Sequence, residues 1–126
     1  MTYKELRDSG ILEDMLNSHN SCIDSNDVRD LFQEGGVIHA FNASVDASME
    51  NRMILMMAKI MKHAECFGPF NHALVFFIFP EDRPLQMEEL KPFRDWIESL
   101  TGELRIKWGS MATQFTTELR AIVILQ

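Results

Sequence analysis

HALVFFIFP, residues 72–80, is apolar without a break from Ala73 to Phe79. An alternating strand would place every second residue in water, so an unbroken run predicts a strand covered on both faces, near the middle of a sheet. Pro80 ends its pairing, because proline has no N–H to give the ladder. A central strand requires neighbours and two covering layers, and the flanking sequence offers both.

Upstream, Met49, Met53, Met56, Ile60 and Ala64 recur at steps of three and four, which predicts an amphipathic helix capped by Asp46 or Ser48 and stopped at Phe67-Gly68-Pro69. Met49, Met53, Met56 and Ile60 are expected in the core, with Met57 or Met61 exposed. Val37–Phe41 (VIHAF) reads as a strand before that helix. Downstream, Leu90, Phe93, Ile97 and Leu100 predict another helix, with Pro92 near its first turn and Thr101-Gly102 as its stop. Glu103–Trp108 alternates, as a half-exposed edge strand does. Gly109–Thr116 connects it to a last strand, Glu118–Leu125 (ELRAIVIL).

The N-terminal third is less regular. Tyr3–Leu16 predicts a short or broken helix and Asn17–Ser21 a loop, so residues 1–21 form an appendage and residues 22–126 the domain. Asp24-Ser-Asn-Asp27 before Val28, Leu31 and Phe32 reads as an N-cap and a short helix, ended by Gly35-Gly36. The resulting order of elements predicts an α/β or α+β sheet with helices packed against it.

Composition narrows the function. The 126 residues are enough for one hydrophobic core but not for a nucleotide-binding domain together with a substrate domain. A formal net charge of −7 repels phosphate backbones, so nucleic acid is not an expected partner. Residues 1–51 hold ten acidic and three basic side chains, and residues 52–126 hold nine of each. That imbalance reads as a solvated acidic flank, with a docking face for a basic partner as the alternative. Cys22 and Cys66 are read as thiols in a reducing compartment. Without a signal-peptide pattern or an apolar run long enough to span a bilayer, a soluble, cytoplasmic protein is expected.

Few chemical constellations are present. A phosphate-binding loop needs closely spaced glycines opening a helix, whereas Gly35-Gly36 opens a strand, so no nucleotide cofactor is expected. His63, Cys66 and His72 are possible metal ligands without a fourth and at no common zinc spacing, so no metal is expected. His63 near a helix C-terminus and Cys66 packed as a small hydrophobe account for both. His19 and Cys22 lack a third member for nucleophilic catalysis, and no constellation supports His39 or His72 as a base. Asp24 and Asp27 open the same helix: Asp24 can cap its first turn and Asp27 can meet the positive end of its dipole. The same carboxylates could instead position an attacking water, with the phosphate supplied by another chain.

From Cys22 to Leu125 the sequence resembles the C-terminal, tubulin-like second domain of the FtsZ cell-division GTPases. Cys22-Ile-Asp24-Ser-Asn-Asp27-Val28 is similar to that family's synergy loop, Asn-x-Asp-x-x-Asp before a hydrophobic residue, with Cys22 in place of the Asn. Residues 35–52, GGVIHAFNASVDASMENR, resemble its strand, loop and helix entrance, where Glu50 and Arg52 match an acidic residue and an Arg. Ala73–Phe79 and Leu85–Leu100 are similar to the next strand and helix. Ile106-Lys-Trp-Gly109 and Glu118-Leu119-Arg120 before AIVIL resemble its last two strands.

The resemblance implies an α/β (α+β) fold, a four-stranded mixed sheet with helices packed on it, and a non-catalytic association domain that contributes to or modulates a division filament. Asp24 and Asp27 would then act in trans on the GTP of a neighbouring subunit. The implied partners are a second copy or an FtsZ-like GTPase subunit, with no GTPase activity in this chain alone. The rival reading is a small-molecule-sensing α/β domain that dimerises through Glu103–Trp108.

Overall fold

The computed structural model describes residues 38–100 and 104–126. They form β1 (His39–Asp46), α1 (Arg52–Phe67), β2 (His72–Pro80), a 3-10 turn (Met87–Leu90), α2 (Lys91–Ser99), β3 (Arg105–Thr113) and β4 (Glu118–Leu125). The four strands make one mixed sheet in the order β1-β4-β2-β3. β4 is antiparallel to both β1 and β2, while β2 and β3 are parallel. The parallel pair needs a crossover, and α2 supplies it. This is the four-stranded mixed α+β architecture expected from the sequence.

β2 and β4 lie inside the sheet, and their apolar runs are buried on both faces. Towards α1 and α2, Val75, Phe77, Ala121 and Val123 join Phe41, Ala43, Met53, Met56, Ile60, Phe93 and Trp96 in one core cluster. On the opposite face Leu74, Phe76, Ile122 and Ile124 are buried as well. Phe93 of α2 meets Phe77 edge-on, ring centroids 5.2 Å apart, which fixes α2 over the middle of the sheet.

Several boundaries move from their sequence-based positions, each for a tertiary reason. β1 runs to Asp46 because it pairs with β4 residue by residue, from His39↔Leu125 to Asp46↔Glu118. Its alternation, Phe41, Ala43 and Val45 buried between Asn42 and Ser44, is that of a strand with one face on the core. β3 continues through the expected connection as far as Thr113, held by parallel pairing with β2 out to Pro80↔Thr113. It remains an edge strand, and Glu103 lies outside the described residues.

Neither Asp46 nor Ser48 caps α1; the N-cap is Asn51, and its side chain makes no capping bond. Asp46 closes a turn instead, its Oδ1 accepting from the Ser48 amide at 2.9 Å and the Ser48 hydroxyl at 2.7 Å. Met49 consequently precedes the helix and is exposed, whereas Met57 joins Met53 and Met56 in the core and Met61 faces out. At the other end Gly68 takes φ +96°, a backbone region that favours glycine, and its amide bonds the Ala64 carbonyl. Pro92 sits in the first turn of α2, where its missing N–H leaves no helical bond unmade.

Candidate functional site

Asp24 and Asp27, with Cys22, their helix and the appendage 1–21, lie outside the described residues, as do Gly35, Gly36, Thr101 and Gly102. Of the described residues that carry the resemblance, Arg52 is the charged one that is buried. It opens α1, and its chain position and the turn after β1 aim its side chain across the end of the sheet. Glu89 meets it from the 3-10 turn 37 residues on.

The contact is bidentate: Arg52 Nε donates to Glu89 Oε2 at 2.6 Å and Nη2 to Oε1 at 2.8 Å. The remaining donors reach carbonyl oxygens, Nη1 to Ala47 at 3.3 Å and Arg83 at 3.0 Å, and Nη2 to Pro84 at 3.0 Å. A guanidinium has five N–H donors, and here each has an acceptor. Arg52 is only 5% exposed, and no donor is left for an incoming phosphate or carboxylate. Its chemistry is therefore positional: it ties the β1–α1 turn, the segment after β2 and the 3-10 turn into one corner.

Glu89 is half-buried and answers this geometry. The hydrogen bonds from Arg52 hold its carboxyl below the ordinary carboxylate value, more strongly than partial burial raises it. One of its oxygens also accepts from the Gln86 amide, completing a capping box at the 3-10 turn.

The histidines and Cys66 do not assemble. His63 stacks on Phe41 with ring centroids 4.2 Å apart, whereas His72 Nδ1 lies 3.2 Å from Gln126 Oε1 at the start of β2. Cys66 is exposed near the end of α1, not packed as expected, because its helix position turns it away from the sheet. Among the described residues no three His, Cys, Asp or Glu side chains converge as metal ligands. His39 stacks with Phe67 and with His63, ring centroids 5.7 and 5.9 Å away, and burial, then the charge of His63, lowers its pKa. None of these groups forms a nucleophile and base pair. Among the described residues, no helix is long and apolar enough to cross a membrane.

Solved structures share this arrangement of strands and helices. An FtsZ variant from M. jannaschii superposes with a TM-score of 0.65 at 18% identity, covering 100% of this chain and 41% of that one. The fold is that of FtsZ. Two CetZ proteins of Haloferax volcanii agree at 19% identity. The GDP-bound CetZ1 monomer has a TM-score of 0.60 and covers 98% of this chain and 38% of its own. The GTPγS-bound CetZ2 protofilament has a TM-score of 0.64 and covers 97% and 37%. The chain therefore spans roughly two-fifths of the length of the FtsZ-type proteins it matches. No family model and no curated protein sequence matches it.

In the sequence Arg52 is marked only by its place at a helix entrance, and no local feature marks Glu89. An Arg directly before an apolar helical stripe was the available signal. Its partner could not be named, since only the packing of α1 beside the 3-10 turn brings Glu89 within reach.

Proposed function

We propose that this chain is a non-catalytic association domain of the FtsZ/tubulin type, acting in the cytoplasm within a cytoskeletal division filament or as a modulator of one. The observation that carries this reading is that the FtsZ fold accounts for the full chain while the chain accounts for 41% of that FtsZ structure. A relative of the same fold, CetZ2, has been solved as a protofilament. The sequence has no glycine-rich phosphate loop, so a triphosphate would come from a partner, a second copy or an FtsZ-like GTPase subunit. Asp24 and Asp27 would then act in trans on that nucleotide, orienting the attacking water.

Mixing the protein with a full-length FtsZ-type GTPase tests this by co-sedimentation and GTP turnover. Association with altered turnover is expected, and the absence of both would remove the reading. Asp24→Ala should lower the turnover of the mixture while leaving the melting curve of the domain in place. A melting shift with turnover unchanged would reduce Asp24 to a helix cap.

A further inference from the structure

Among the described residues the outer side of β1 is a sheet edge without a strand neighbour and carries a local excess of positive charge. Among the described residues β1 pairs only with β4. In an antiparallel ladder alternate residues turn their N–H and C=O groups to opposite sides. Ser44 shows which side is open, because its carbonyl accepts from Lys59 Nζ at 2.6 Å rather than from β4. Ala40 and Asn42, in phase with Ser44, present their backbone groups to the same side.

Beside this edge runs a groove of about 550 Å³ bounded by Asn42, Ser44, Lys59, Lys62, His63 and Cys66. Among the described residues its lining holds two lysines and no carboxylate, in a chain whose net charge is −7. Both lysines are exposed on α1, one helical turn apart, on the side overlooking the strand.

We propose that the β1 edge docks an extended acidic peptide segment of a partner protein, which adds to the sheet as a further strand while its carboxylates meet Lys59 and Lys62. Strand addition supplies affinity through main-chain hydrogen bonds and specificity through side chains at every second position. The bond from Lys59 to Ser44 makes the specificity intelligible. In the free protein it blunts the edge, as lysines commonly do. On docking, a partner N–H replaces Lys59 at the Ser44 carbonyl, and the released ammonium takes a partner carboxylate. A neutral strand satisfies only the first half of that exchange, and a basic strand opposes the second.

The test is fluorescence anisotropy with a labelled peptide of alternating glutamate and valine. Its lysine–valine counterpart and a version N-methylated at every second residue serve as comparisons. The acidic peptide should bind, and increasing salt should weaken it. The Lys59→Glu, Lys62→Glu double variant should bind it roughly tenfold or more weakly. The N-methylated peptide should fail, since it keeps the charge but lacks one row of donors. Circular dichroism of the variant controls for folding. Equal binding of the N-methylated or the basic peptide would overturn the proposal, as would no binding of the acidic peptide. Binding to anionic phospholipid vesicles but not to the peptide would overturn it too.

Discussion

Arg52 and Lys59 stand on the same face-forming helix about two turns apart, and their charges serve opposite ends. Arg52 is buried at the start of α1, with every donor matched to an acceptor. Lys59 is exposed, and its ammonium donates at 2.6 Å to the Ser44 carbonyl, on the side of β1 that no described strand pairs. A cation taken out of water must have complete compensation, and once compensated it offers nothing to a ligand. An exposed lysine loses little by changing partners. The Arg52 corner thus belongs to the fold, and the Lys59 edge is where binding can occur.

Substitutions on both sides can break this contrast. Arg52→Ala should have the largest effect, lowering unfolding free energy by about 3–5 kcal/mol, because it leaves the half-buried Glu89 carboxylate without its cation and the Ala47 and Arg83 carbonyls without their donor. Urea denaturation measures this, and a loss comparable with that of an exposed lysine would end the distinction. Glu89→Gln should cost less, about 1.5–3 kcal/mol, since an amide keeps part of the hydrogen bonding but not the charge.

Acid sharpens the same comparison. The Glu89 carboxyl is lowered from its ordinary 4.5, so its contribution is fully present above that value and is lost as pH falls through the lowered one. Urea midpoints of the native protein should therefore fall in acid, and Arg52→Ala should flatten that dependence.

His39 should add a smaller, earlier loss. Its pKa lies below the ordinary 6.5, so the unfolded chain takes up a proton first as pH drops through that value. Replacing it in His39→Gln should remove this mildly acidic component from the same titration. At the small end, Lys59→Ala should change stability by no more than about 0.5 kcal/mol. The exposed pair Lys91–Asp95, 2.7 Å apart, gives a matching scale, with Lys91→Ala costing about 0.3–0.5 kcal/mol.

The legible parts of the sequence were those whose signal is local. HALVFFIFP and ELRAIVIL are both found as strands, and the methionine-rich stripe is found as a helix. The lengths of β1 and β3 were harder to read. Polar Asn42 and Ser44 interrupt one strand, and Gly109, Ser110 and Thr113 make the end of the other resemble a loop. Both are extended by ladder partners distant in the chain. Met49, expected in the core, is exposed for a related reason: the helix begins at Arg52, later than an Asp46 or Ser48 cap implies, whereas Met61 is the exposed one of the Met57 and Met61 pair. Asp24 and Asp27, the site drawn from the sequence, fall outside the described residues.

Hydrophobic order along the chain was enough to determine a sheet with a doubly covered centre and helices packed on it, because continuous apolar runs must be buried on both faces. It could not determine that β4 inserts between β1 and β2, that Glu89 closes on Arg52, or that Lys59 overlooks an open strand. Those depend on which surfaces meet when the chain closes, and contacts between residues so far apart leave no periodic trace in the sequence.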